Sequence, residues 1–331
     1  DGATRFIAAA CRHLIEERVA VVFYTDRSPA MLLHKTDGVR TPRAVECAAK
    51  AAAHAAVAAY LRQHYPVLGR FTRVPTALPD VTYRWLEPNG VSVLSDDEFR
   101  LAFRARFGLL PLGAHRDRKD PEKRRCSFCH QQGENHVETL AHLFSACARH
   151  LNVYRLRHNA FAGLVLKAVL AALRAQDGTA GRYEMITERA LCTVAVNELK
   201  PSHRALRPDA FLVDRATHTL TPIEFTVPDD AGIAAAVDKK HGKYLEPLRG
   251  AVPGGPSFPE PGFTFRPLVV VAVGVWGTVH QSTMASLVRL GLPPDSVPPL
   301  LRRVVPLLMR HNVVISRVRF AAASRWIPQS V

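Results

Sequence analysis

Acidic residues are scarce in this 331-residue chain: 29 Asp and Glu stand against 44 Lys and Arg, for a net charge of +15. None follows Asp295, although six arginines do. Such an imbalance argues against a cationic partner and points to a polyanion, nucleic acid first. The charge is also clustered, since Arg100–Arg125 holds nine Lys and Arg against Asp117, Asp120 and Glu122; a generally basic surface is the competing reading. Long apolar runs are missing too. The longest, Leu268–Val275, is far short of the ~20 residues that cross a bilayer, and the first residues lack the layout of a signal peptide. No membrane partner is expected, and an intracellular protein is. At 47% hydrophobic residues the chain is not disordered. It begins at Asp1 rather than a methionine, so a segment of a longer protein is expected.

What is present reads in order as follows. A short helix is expected over Asp1–Glu17, a strand over Arg18–Tyr24, and a helix opened by Thr41-Pro42 and stopped by Pro66. Phe71–Gly90 carries Pro75, Pro79 and Pro88 and reads as an irregular connection. Ser95 and Glu98 form a capping box that opens a helix over Asp96–Phe107, closed by Gly108.

Only six cysteines occur, and three of them fall in one short span. Cys126-Ser127-Phe128-Cys129 is followed by His142 and Cys147, a Cys-x2-Cys-x12-His-x4-Cys spacing. Two thiolates separated by two residues reach one ion from a tight turn, and His142 with Cys147 closes a tetrahedron, so Zn²⁺ is expected. In an intracellular protein such clustering favours zinc over disulfides. His130, His136 and His150 are alternatives for the histidine position.

Arg207-Pro208-Asp209 leads into Ala210–Val213, a polar turn over Asp214–Thr219, and the run Leu220–Val227 that contains Glu224. Two β-rich runs around a polar turn predict a hairpin. Centring the turn between Ala216 and Thr217 sets Asp209 opposite Glu224, where facing Cβ atoms lie about 5 Å apart on one face. The two carboxylates are therefore candidate ligands of one hard cation. In the helix that follows, Ile233, Val237, Lys240, Tyr244 and Leu248 recur at helical spacing, which turns Lys240 toward the carboxylates and Lys239 away. A surface hairpin with ordinary acidic residues is the competing reading. Cys192–Glu198 reads as the first strand of the same sheet, and Phe263–Trp276 as a buried strand.

Pro-Asp, a carboxylate in the next strand and then a lysine is the pattern of PD-(D/E)xK nucleases. With Thr226 in the usual lysine position and the lysines displaced into Lys240-His241-Gly242-Lys243-Tyr244, the chain resembles the restriction-like endonuclease at the C-terminus of site-specific non-LTR retrotransposon proteins. The Arg-rich helix and Leu-Pro turn of Phe103–Pro111, the Glu138-Thr139-x2-His142-x4-Cys147 half of the knuckle, Arg157-His158-Asn159 and Gly274-Val275-Trp276 resemble the same family in the same order. The His130–Val137 loop departs from it in being longer.

The resemblance covers roughly Ser95 to the C-terminus. It implies an α/β (α+β) fold: a helical and mixed linker over 1–94, an Arg-rich helix and CCHC zinc knuckle over 95–150, and a restriction-endonuclease-like mixed sheet flanked by helices over 151–331. The implied activity is Mg²⁺-dependent nicking of target DNA to prime reverse transcription. Asp209 and Glu224 would hold Mg²⁺, Lys240 would orient the attacking water or neutralise the transition state, and Lys243 and Tyr244 would steady the phosphate. Glu198 is a candidate third carboxylate, equally readable as an ordinary strand-end residue. Arg104, Arg106, Arg116, Arg124 and Arg125 are expected on nucleic acid, with Arg157 and His158 as further DNA contacts. Target DNA, element RNA and an upstream reverse transcriptase domain are the implied partners, and the nucleus the implied location. A non-catalytic nucleic-acid-binding module and a decayed element fragment are the alternatives.

Overall fold

The computed structural model describes residues 19–23, 29–34, 76–82, 94–106, 110–116, 120–178, 181–195, 199–249, 251–258 and 260–320. The chain divides into two compact units, Asp1–Arg73 and Val74–Val331. In the first, strands β1 (Val19–Phe23) and β2 (Pro29–His34) pair antiparallel. The helices expected over Asp1–Glu17 and Thr41–Tyr65 lie outside the described residues.

The second unit begins with helix α1 (Asp96–Arg106), then α2 (Ser127–Gln131) and the long α3 (Leu151–Asp177). Strands β3 (Tyr183–Thr187), β4 (Ala210–Asp214) and β5 (Thr219–Thr226) follow, then α4 (Ile233–Arg249), β6 (Thr264–Phe265), β7 (Val269–Ala272), α5 (Gln281–Arg289) and α6 (Val297–Phe320). The capping box that opens α1 is reciprocal: Ser95 N donates to Glu98 Oε2 at 3.0 Å, and Glu98 N to Ser95 Oγ at 3.4 Å.

The five strands of this unit form one mixed sheet. β3 and β4 pair antiparallel, as do β4 and β5, while β6 and β7 both run parallel to β5. Asp214 builds the β4–β5 turn by accepting from Ala216 N at 3.0 Å and is held by Arg182 across β3. Alternation along the strands divides two cores. Phe211, Val213 and Leu220 face Tyr244 and Leu248 of α4, whereas Phe225 meets Phe161 of α3 edge-on at 5.4 Å. On α3, Phe161, Val165, Val169 and Leu173 are buried at fourfold spacing, the stripe a helix turns toward a core. α6 packs on α3 and α5 on β7, where Thr283 and Ser286 hydroxyls take up the carbonyls of Ala272 and Val270 on the sheet edge.

Among the described residues α3 alone has the length and apolar composition of a bilayer-crossing helix. Its apolar stripe is nonetheless covered by the sheet and α6.

The expected first strand at Cys192–Glu198 is corrected. Leu191–Val194 is a single helical turn whose Leu191 and Val194, three apart, enter the core, and the first strand of the sheet is Tyr183–Thr187. Residues 196–198, including Glu198, lie outside the described set. The strand expected over Phe263–Trp276 is two short strands, because Pro267 has no N–H to donate to a ladder.

Candidate metal centre and hairpin site

Cys126 and Cys129 flank the start of α2, with Cys126 at its N-cap. After α2, Gly133 takes φ 81°, a left-handed value that favours glycine, and turns the chain back. The His130–Val137 loop thereby closes as a small ribbon in which Cys126 N donates to the His136 carbonyl at 2.8 Å and Glu138 N to that of Arg124 at 2.9 Å. His142 opens a π-helical turn, and the wide i→i+5 bond from Cys147 N to the His142 carbonyl, 2.8 Å, brings Cys147 back beneath His142.

The four side chains are buried, and their ligand atoms all lie within 4.8 Å of one another. Cys126 Sγ and Cys129 Sγ are each 3.8 Å from Cys147 Sγ, and Cys129 Sγ is 3.4 Å from His142 Nε2. A disulfide needs about 2.05 Å. Around a tetrahedral zinc with bonds of about 2.3 Å to sulfur and 2.0–2.1 Å to nitrogen, sulfur–sulfur edges come to about 3.8 Å and sulfur–nitrogen edges to about 3.5 Å. The quartet therefore has the dimensions of a Cys3His centre that could hold a metal such as zinc. Burial pushes the Cys147 thiol up to about 12 and raises Cys129, so thiolates at these positions require a bound cation. His136 stacks on the His142 ring at 5.1 Å, His130 is exposed, and neither they nor His150 join the quartet.

The hairpin site forms at the far end of β4 and β5 from their turn. The last ladder pair is Ala210 with Ile223, and the next residues along each strand are Asp209 and Glu224. Glu224 is buried, points to the α4 face and receives Lys240 Nζ at 2.5 Å. Along α4, Ile233, Tyr244 and Leu248 are buried and Lys240 half-buried, whereas Lys239 is exposed. Tyr244 is sealed beside Glu224, where burial and then the Glu224 charge raise the Tyr244 hydroxyl, and Lys243 Nζ lies 3.3 Å from that hydroxyl.

Asp209 is held from the opposite face. Its Oδ2 accepts from Phe225 N at 2.7 Å and lies 3.1 Å from His158 Nε2, which is also 3.2 Å from the Phe225 carbonyl. Burial raises Glu224 above the usual carboxylate range, with the Asp209 charge adding to it. Burial acts the same way on Asp209 and is the largest single influence there, but the His158 bond and charge, the Phe225 N–H and the Lys240 charge together outweigh it and leave that carboxyl lowered. Two neighbouring carboxylates thus differ in basicity, a separation that acid–base sites exploit. Among the described residues the Cys3His quartet is the one group bringing three or more His, Cys, Asp or Glu ligand atoms within 4.8 Å. Here each carboxylate instead has its own basic partner.

The basic residues divide. Arg104 is exposed, Arg125 pairs with Glu122 at 2.7 Å, and Arg124 is partly buried with its Nε sealed from solvent. The side chains of Arg106 and Arg116 lie outside those described. Arg157 as a DNA contact is corrected: it is 2% exposed, and its guanidinium donates to the Phe144 carbonyl at 2.9 Å and Asn312 Oδ1 at 2.7 Å. His158 is turned toward Asp209 rather than outward. Gly274-Val275-Trp276 is a packing joint, where a Cβ on Gly274 would lie 2.2 Å from Asp230 Oδ1 and Trp276 meets Phe144 of the knuckle edge-on at 4.7 Å.

The chain matches no protein-family model and no curated protein.

Proposed function

We propose that this chain is a metal-dependent DNA endonuclease of the restriction-like kind, the nicking part of a non-LTR retrotransposon protein. One observation carries the reading: Asp209, just before β4, and Glu224, inside β5, lie next to the last β4–β5 ladder pair on neighbouring chain segments, and Lys240 reaches Glu224 from the helix that covers it. Oxygen-only donors of this kind suit Mg²⁺. Asp209 Oδ1 has no hydrogen-bond partner among the described residues, whereas Glu224 Oε2 is taken by Lys240; Asp209 and Glu224 would hold the ion. When bound, it lowers the pKa of a coordinated water and neutralises charge on the phosphate.

Each protein group then has a task. Lys240 favours the ionised form of the buried Glu224 against the effect of burial and places a positive charge where negative charge develops during phosphodiester hydrolysis. Tyr244 fixes Glu224 from below, and Lys243 is close enough to steady a phosphate. The +15 net charge supplies the attraction to nucleic acid, with Arg104 the exposed one among the described side chains of the arginine block. The zinc centre is structural, because four protein ligands leave no open coordination position.

The test is nicking of supercoiled DNA with and without Mg²⁺. Wild-type protein should nick only with the ion, and Asp209→Ala should bind DNA but not nick. Mg²⁺-dependent nicking that survives Asp209→Ala would remove the carboxylate pair from the mechanism. Binding without nicking in the wild type would leave a non-catalytic nucleic-acid module.

A further inference from the structure

His158 lies 51 residues before Asp209 and on a helix that packs against the opposite face of the sheet from Lys240, and its ring comes to the other carboxylate of the pair, the one Lys240 does not hold. Its Nε2 lies within hydrogen-bond distance of two atoms, Asp209 Oδ2 at 3.1 Å and the Phe225 carbonyl at 3.2 Å. A carbonyl oxygen and an ionised carboxylate oxygen both only accept. A nitrogen between them must therefore carry the hydrogen and donate. The other ring nitrogen faces Asn159 Oδ1 at 3.2 Å, and the ring edge packs against Phe225 at 6.5 Å, so the imidazole is held from several sides.

The consequence falls on Asp209. Its Oδ2 takes two donors, Phe225 N at 2.7 Å and His158 Nε2, while its Oδ1 takes none among the described residues. We propose that His158 is a positioning residue: by donating to Oδ2 it fixes the rotation of the Asp209 carboxylate and leaves Oδ1 as the oxygen offered to a divalent cation. This rests on the metal-dependent reading above. Groups that hydrogen-bond a ligating carboxylate set its orientation, and removing them costs about 10–100-fold in metal affinity or activity. Arg157, the preceding residue, keeps the same helix in place from its other side.

Two substitutions separate the donor from the ring. His158→Phe keeps the packing against Phe225 and removes the N–H; His158→Gln removes the ring and can return an N–H to nearly the same place. The probe is Mn²⁺, which accepts the same oxygen donors as Mg²⁺ and is counted as free ion by electron paramagnetic resonance. Binding is scored as the part lost in Asp209→Ala. His158→Phe should weaken it about 10–100-fold, with His158→Gln within a few-fold of wild type.

Wild-type affinity in His158→Phe would overturn the proposal. Equal loss in both variants would overturn it as well, since the imidazole would then be a ligand itself. Nicking is assayed on the same samples so that the two readings fail separately. Absence of nicking despite Asp209-dependent Mn²⁺ binding sinks the nuclease reading and leaves His158 in place, whereas absence of that binding in the wild type sinks both.

Discussion

Extracting zinc should destabilise the whole Val74–Val331 unit, because the knuckle is built into it rather than hung from it. Phe144 packs on Trp276 at 4.7 Å, Arg157 NH2 donates to the Phe144 carbonyl at 2.9 Å, and Tyr154 donates its hydroxyl to the Leu143 carbonyl at 2.6 Å. From the far end of the chain, Arg319 of α6 closes on the buried Glu138. Zinc held a thousandfold above its dissociation constant stabilises the folded state by about 4.1 kcal/mol. For a unit of this size each 1 kcal/mol moves Tm by about 2–4 °C, so chelation should lower Tm by about 8–16 °C. Scanning calorimetry of zinc-loaded and chelated protein, with metal content measured on both, reads this directly. Trp276, buried against Phe144, reports the same transition by fluorescence. If the metal leaves and the main transition moves by under about 2 °C, the knuckle is an independent appendage and its contacts with α3 and α6 carry little energy.

Other perturbations have signs that follow from the same contacts. Glu138→Gln removes the charge partner of Arg319 at a buried position where Glu138 Oε2 also accepts from Gly113 N at 3.0 Å; urea unfolding should show a loss of about 3 kcal/mol, and a loss within experimental error would mean the pair contributes nothing net. Lys240→Ala should slow nicking about 10²–10³-fold while Lys239→Ala, on the exposed side of α4, leaves it unchanged; equal losses would refute the assignment by helix face. Asp214 is held below the usual carboxylate range by Arg182, at 2.9 and 3.1 Å, so its stabilisation is present above the unfolded value of about 3.9 and disappears as pH falls through the lower folded value. Asp214→Asn should therefore cost about 1 kcal/mol at pH 7 and progressively less on acidification below about pH 4, and a gap that persists at low pH would trace to the turn, not to the ion pair.

Legibility in the sequence followed the range of the interactions. The hairpin register was readable because a polar turn and two alternating runs fix one pairing, and the observed Ala210–Ile223 pair is the one a turn centred between Ala216 and Thr217 requires. The metal quartet was readable because ligand spacing is a local property. Cys192–Glu198 was misread because a short apolar run has the same composition in a helical turn as in a strand; the true first strand, Tyr183–Thr187, has no fully buried residue and so a weak signal. The partners of Arg157 and His158 were invisible for a different reason. They lie 155 and 51 residues away along the chain, and no local pattern encodes a contact at that separation.

Those two residues also bear on why knuckle and sheet share one unit. Consecutive positions on a helix point about 100° apart, and α3 uses that angle to send Arg157 to the knuckle and α6 while His158 goes to Asp209. A buried guanidinium without a carboxylate partner is costly. Burial lowers Arg157 to about 10, which leaves it charged at neutral pH, and it is answered by a carbonyl, an amide oxygen and the face of the Tyr154 ring at 5.3 Å rather than by a carboxylate. An apolar residue of similar length would fill the space at less cost, but it would not hold α3 to one rotation about its axis. Fixing Arg157 fixes the direction in which the next side chain leaves the helix. Neighbouring residues of one turn of α3 thus contact the backbone of Phe144, just after the Cys3His histidine, and the Asp209 carboxylate.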